Sequence, residues 1–140
     1  MVYETYLGTR KIPSLPHESF RVVYEAYLGT RKIRAPAGGR YVRFSLEAGG
    51  IETRTALNNL ELTDAYKYEQ FLPSKGFSKI GENTLQSYSP MKGDIMVFGN
   101  TSNHIHGHIQ MYNGSNWVSD FVQRTPYPWR DYGNYSIFRW

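Results

Sequence analysis

Downstream of Gly93 the hydrophobic period of this chain is two, whereas between Arg40 and Leu72 it is that of a helix, and this change restricts the fold more than any other feature. Gly93-Asp-Ile-Met-Val-Phe98 reads as a short buried strand after the Pro90-Met-Lys92 turn, and His108 to Tyr112 alternates cleanly. Asn113-Gly114 marks a hairpin turn, Trp117 to Phe121 returns, and Tyr135 to Trp140 closes the chain. Upstream, Arg40 to Ala48 carries Tyr41, Phe44 or Ser45, and Ala48 on one stripe with Val42 and Leu46 beside it, and Gly49-Gly50 ends that helix. A second helix is predicted from Asp64 to about Leu72, with Thr63 as its N-cap, Pro73 as its stop, and Ala65, Tyr68, Phe71 and Leu72 as its apolar side. Helices first and an antiparallel meander second define an α+β class, with the N-terminal helices packed on one face of a C-terminal antiparallel sheet.

The 140 residues suit one core. Hydrophobic residues make up 40% and charged residues 20%, as in folded proteins rather than disordered ones. The break Arg34-Ala-Pro-Ala-Gly-Gly39 divides the chain into a segment at 1–35 and a domain at 36–140. The first segment holds a duplication: VYETYLGTRKI at 2–12 returns as VYEAYLGTRKI at 23–33, differing only at Thr5 and Ala26. Two copies are too few for a solenoid. A doubled binding or exchange element, which admits a dimer by swapping, and a local duplication decorating the surface both fit.

A net charge of +4 favours polyanions in general. Arg31, Lys32, Arg34, Arg40 and Arg43 lie close in sequence, but no stacking motif or DNA-binding module accompanies them, so a solvated basic face is expected and no nucleic-acid partner. No apolar run is long enough to insert in a membrane, and Met1 to Leu15 lacks the core of a secretory signal. Synthesis in the cytoplasm is expected, with delivery by another route for any action outside it.

Cysteine is absent, which excludes disulfides, a thiolate zinc site and a cysteine nucleophile. His104, His106 and His108 alternate, so one continuous strand would aim all three imidazoles at one face, as zinc requires. Gly107 instead starts the strand at His108 and leaves His104 and His106 in the preceding loop, so no metal or other cofactor is expected. A three-residue loop Asn113-Gly114-Ser115 sets His108 opposite Asp120, about 5 Å apart at Cβ; a two-residue loop sets it opposite Ser119. Either arrangement orients an imidazole as a general base. The nucleophile is what is missing: a helix N-terminus after a glycine-rich break lowers a thiol's pKa, and here Ala37, Gly38 and Gly39 occupy that place. Thr125 to Tyr132 is an aromatic loop suited either to wall a groove or to cover the sheet with Trp129 buried.

Gly39-Arg-Tyr-Val-Arg-Phe-Ser-Leu-Glu-Ala-Gly-Gly50, Lys92-Gly-Asp-Ile-Met-Val-Phe98, Gly107-His-Ile-Gln-Met-Tyr-Asn-Gly114 and Trp117-Val-Ser-Asp-Phe121 follow one another in order. Together they resemble the CHAP and NlpC-like branch of papain-fold peptidoglycan amidases, in particular small phage lytic enzymes and type VI secretion amidase effectors. The resemblance covers roughly 36–140. It implies a papain-like domain that cleaves an amide bond of the cell-wall stem peptide through an acyl-thioester. It places the base at His108, the orienting residue at Asp120 and the nucleophile at Gly38, with Tyr41, Trp129 and His106 along the substrate groove. Glycine has no side chain to attack with, so the chain as written is expected to be inactive. Peptidoglycan stem peptides and an immunity protein are the partners the resemblance brings with it, and the periplasm or cell wall the place of action. A non-catalytic binding module for wall peptide or protein, and a metal site on His104, His106 and His108, are the alternatives.

Overall fold

Helix α1 (Arg40–Ala48) forms where its apolar stripe predicts it, burying Tyr41, Val42, Ser45, Leu46 and Ala48. The computed structural model describes residues 39–119 and 122–140; the copies at 2–12 and 23–33, Gly38 and Asp120 lie outside the described residues. Gly39 precedes α1 with φ +82°, a conformation L side chains rarely adopt, and a Cβ on it would sit 3.4 Å from Ile109 Cγ2. The start of the helix therefore rests on the sheet itself. Ser45 Oγ donates to the Tyr41 carbonyl at 2.9 Å inside the helix, and Ile51 N–H donates to the Leu46 carbonyl beyond its end.

A short helix α2 (Arg54–Asn58) follows, then a 3₁₀ turn (Ala65–Lys67) leading into α3 (Tyr68–Ser74). The single helix predicted from Asp64 is thus divided. Asp64 is extended (φ −126°, ψ 148°), Tyr66 N–H donates to the His106 carbonyl at 3.2 Å, and Thr63 Oγ1 accepts from Lys67 Nζ at 2.9 Å instead of capping. Pro73 does not stop the helix but lies in its last turn, where its ring forfeits only one intrahelical bond.

Among the described residues five antiparallel strands make the sheet: β1 (Ser78–Glu82), β2 (Ile95–Phe98), β3 (His108–Tyr112), β4 (Trp117–Val118) and β5 (Tyr135–Arg139), in the order β1-β5-β2-β3-β4. Ile95, Val97, Ile109, Met111 and Phe138 point to the helices, where they meet Val42, Leu46, Phe71 and Leu72. Each of these side chains contributes roughly 1.5–3 kcal/mol by leaving water. Met96, Phe98, Trp117, Tyr135 and Ile137 point the other way and are covered by Leu85, Tyr88 and Tyr127 from the connecting segments and by Tyr112 of β3. Among the described residues no helix is long and apolar enough to cross a membrane.

The β3–β4 turn differs from both expected forms. Tyr112 pairs with Trp117 and Met111 with Val118, so the loop has four residues, Asn113 to Asn116. Its cause is the Asn113 side chain, whose Oδ1 accepts from Ser115 N–H at 2.9 Å and Asn116 N–H at 2.7 Å, folding an Asx turn that consumes one more residue.

At the head of β2, Asp94 is 1% exposed and receives Arg139 Nε and Nη2 at 2.8 Å each, Met91 N–H at 2.8 Å and the Tyr88 hydroxyl. The carboxylate raises the pKa of Arg139, while burial and then Asp94 raise that of Tyr88. Gly107, with φ +66°, admits no Cβ: one would lie 2.5 Å from the Phe98 carbonyl oxygen and 2.9 Å from Tyr66 Cβ.

Two stability measurements check this account. Asp94→Ala should cost about 3 kcal/mol, the lower end for breaking a buried pair because Arg139 retains some solvent, read as a fall in Tm of roughly 10 °C. Gly107→Ala should cost about 1–3 kcal/mol, whereas alanine at the exposed Gln86 leaves the melting curve in place.

Candidate functional site

His108 opens β3 opposite Phe98, and its ring lies on the loop-covered face, 5.9 Å from the Phe98 ring. Its Nε2 is 2.7 Å from Gln123 Oε1 and 3.1 Å from Gln110 Oε1. An amide oxygen only accepts, so Nε2–H is the donor to both and Nδ1 is the ring's proton acceptor. Each glutamine is itself fixed. Gln110, fully buried, donates from Nε2 to the Pro126 carbonyl at 2.7 Å, and Gln123, 5% exposed, donates to the Thr125 carbonyl at 3.2 Å. Ser119 Oγ adds a bond to Gln123 Oε1 at 3.1 Å. Buried amides whose NH₂ groups are committed elsewhere present their oxygens without ambiguity.

Trp129 packs edge-on to the His108 ring at 5.6 Å and lies flat on His104, centroids 3.7 Å apart and planes at 13°. His104 Nε2 contacts Asp131 Oδ1 at 3.0 Å, and Asn103 Nδ2 donates to Asp131 Oδ2 at 2.9 Å. Those two bonds, the Asn103 one foremost, hold the Asp131 pKa below the ordinary aspartate value. His106 Nδ1 pairs with Asp64 Oδ1, and that bond lowers the Asp64 pKa. The loop before β3 is thus anchored at both ends by carboxylates, with Trp129 trapped between one anchor and His108.

The three histidines considered as a metal site do not share one. The three imidazoles diverge to Asp131, Asp64 and the two glutamines, and no group of three metal-ligating side chains converges among the described residues. Among the groove candidates, Trp129 stands beside His108 and is half-buried, and the His106 side chain is 72% exposed. Tyr41, expected along the substrate groove, is 6% exposed within the helix-side core, because the apolar stripe of α1 that carries it faces the sheet. Ser45 is fully buried and bonded within α1.

The position expected for the nucleophile, Gly38, and the expected orienting residue, Asp120, are outside the described residues. Their neighbours are informative. A Cβ on Gly39 would lie 3.4 Å from Ile109, the residue after His108, so the N-terminal end of α1 lies close to the first residues of β3. On the partner side, Val118 bridges to Val122 and Gln123 N–H donates to the Trp117 carbonyl at 2.9 Å, which returns the chain to β4 and delivers Gln123 to the imidazole. Gln110 was open to sequence reasoning, since it lies two residues after His108 on the same strand face. Gln123 had no periodic signal.

A cavity of about 930 Å³ lies on the helix face, between Tyr66, Glu69, Lys79, Val97 and Ser136. Two of its charges face each other: Lys79 Nζ is 2.7 Å from Glu69 Oε2, which also accepts from Ser136 Oγ at 2.8 Å.

No protein-family profile matches this sequence, and no curated protein matches it either. Solved structures do. The crystal structure of the type VI native effector–immunity complex Tae3–Tai3 from Ralstonia pickettii contains a chain similar at 30% identity and a TM-score of 0.63, over 85% of this chain and 97% of that one. The selenomethionine form of the same complex matches at 28% identity and a TM-score of 0.60, over 82% of this chain and 98% of the other. With that identity sustained over almost the whole of the related chain, the α+β protein described here belongs to the family of the Tae3–Tai3 type VI effector–immunity proteins.

Proposed function

We propose that this chain is the effector half of a type VI effector–immunity pair, a papain-like peptidoglycan amidase scaffold with His108 as its general base. The observation that carries this reading is the His108 Nε2–H shared by two buried amide oxygens, Gln123 at 2.7 Å and Gln110 at 3.1 Å. A structural histidine needs one partner; two fixed acceptors on one nitrogen impose a single tautomer and a single ring orientation, as proton transfer at Nδ1 demands. The α1 N-terminus beside β3 is where a nucleophile would be activated by the helix dipole.

With a thiol at position 38, the chemistry is acyl transfer. His108 Nδ1 takes the thiol proton, the sulfur attacks the carbonyl of a stem-peptide amide, and the C–N bond breaks as the imidazolium returns its proton to the departing amine. Water then attacks the thioester, again giving a proton to Nδ1, and the carboxylic acid leaves while the thiol reforms. Gln123 and Gln110 are neutral, so they hold the ring without favouring its charged form as a carboxylate would. As written, Gly38 supplies no nucleophile, and the chain binds wall peptide without cutting it. Delivery by the secretion apparatus places that activity in the periplasm, and the cognate immunity protein is the partner that covers the groove.

The test is release of soluble fragments from purified sacculi by the chain and by its Gly38→Cys variant in parallel. Release by the variant alone is expected, falling about 10²–10⁴-fold when His108→Ala is added. Release by neither folded protein, or release that survives His108→Ala, overturns the amidase reading. In the Gly38→Cys background, Gln123→Glu should move the acidic limb of the pH–rate profile to higher pH, because a carboxylate at Nε2 stabilises the imidazolium. Gln123→Ala should lower the rate without that shift in the same direction. An unmoved profile in both would leave Gln123 a packing residue.

A further inference from the structure

Beyond His108, on the same loop-covered face, the sheet carries a second cavity of about 460 Å³ whose lining is entirely uncharged. One wall is aromatic: Tyr127 and Tyr132 stack with centroids 4.7 Å apart and planes at 19°, and Tyr132 meets Tyr135 at 6.0 Å. The other wall is the polar loop carrying Asn83, Gln86 and Ser87. That loop is built to hold its shape. Asn83 sits at φ +49°, a left-handed conformation asparagine tolerates better than most residues, and its Oδ1 accepts from Tyr135 N–H at 3.0 Å while Leu85 N–H donates to the Tyr135 hydroxyl at 3.0 Å. Gln86 is exposed at the rim, and Tyr132 is 37% exposed.

The cavity lies within the roughly 300–1,000 Å³ typical of small-molecule sites. Its chemistry is selective. Faces of tyrosine rings accept the apolar C–H face of a pyranose, amides and hydroxyls pair with ring hydroxyls and acetamido groups, and the absence of charge in the lining discourages ions. Phe98 links this cavity to the proposed base: its buried ring is 5.9 Å from His108, 5.9 Å from Tyr132 and 5.2 Å from Tyr135. A ligand in the cavity is therefore one aromatic ring removed from His108.

We infer that this cavity is a saccharide subsite that takes a neutral N-acetylated pyranose of the glycan strand while the attached stem peptide reaches the groove at His108. The inference rests on the cell-wall reading above. It makes the protein a reader of glycan-linked peptide rather than of peptide alone.

Binding can be measured in the chain as written. Chitotriose, a neutral N-acetylated trisaccharide, is titrated while the backbone amide resonances of Leu85, Gln86 and Ser87 are followed. Saturable shifts centred on these amides are expected, with affinity in the millimolar range, weakened about tenfold or more by Tyr132→Ala and by Gln86→Ala and retained by Tyr132→Phe. The fully deacetylated, positively charged chitosan trimer should bind more weakly. No saturable shift, shifts that map elsewhere, or an affinity indifferent to both alanine variants overturns the subsite. Gln86 is exposed, so its alanine variant reports on binding even if Tyr132→Ala unfolds. Sugar binding needs no hydrolysis: a silent Gly38→Cys variant sinks the amidase reading with chitotriose still bound, and loss of chitotriose binding sinks the subsite with cleavage intact.

Discussion

The carboxylate of Asp94 is the interaction on which the sheet depends. It stands fully buried at the head of β2 and takes both arms of Arg139 from β5, the Tyr88 hydroxyl from the covering loop and Met91 N–H from the turn that leads into β2. Its own backbone joins the other side, because the Asp94 carbonyl accepts from Tyr112 N–H at 2.8 Å. One residue thereby ties the last strand, the central strand and the end of β3. A strand order in which the C-terminal segment lies between β1 and β2 closes late in sequence and needs such a specific lock. Hydrophobic burial alone, being non-directional, fixes neither that neighbour choice nor its register.

Because the two faces of the sheet are covered by different materials, they do different work. Side chains of the helices, aliphatic and aromatic, fill one face, and the start of α1 lies close to Ile109 there. The other face is aromatic and looped, and it carries His108, Trp129 and the tyrosine-lined cavity. His108 and Ile109 are adjacent residues pointing to opposite faces at the same end of β3. Gly39 therefore lies at the end of β3 that also carries the imidazole, and Gly107, which tolerates no side chain between Phe98 and Tyr66, keeps that end closely packed.

What the sequence made legible follows from which interactions are periodic. Helix α1 was readable to the residue, since its stripe repeats at helical spacing and glycines bracket it. Strands β2, β3 and β5 were readable within one or two residues for the same reason at period two. Edge strand β1 was not: its residues are mostly exposed and polar, so pairing with β5, not burial, makes it a strand. The hairpin register turned on a single side chain, Asn113, whose competition for backbone N–H groups added a residue to the loop. The helix from Asp64 broke because Tyr66 N–H found the His106 carbonyl, a contact distant in sequence.

The site divides along the same line. His108 was identifiable because a glycine followed by a histidine at a strand start is a local pattern. Its orienting partner was sought by counting across a hairpin, and that count fails once the loop has four residues and β4 has only two. Gln123 reaches the imidazole after a bridge between Val118 and Val122 turns the chain back, so its role is set by irregular backbone. Chemically, an amide is a different instrument from the carboxylate that the count suggested. It fixes the ring's tautomer by accepting from Nε2–H, yet adds no charge that would favour the protonated ring. Both glutamines can be buried because the Pro126 and Thr125 carbonyls satisfy their NH₂ groups, and the satisfied network holds the imidazole in one orientation.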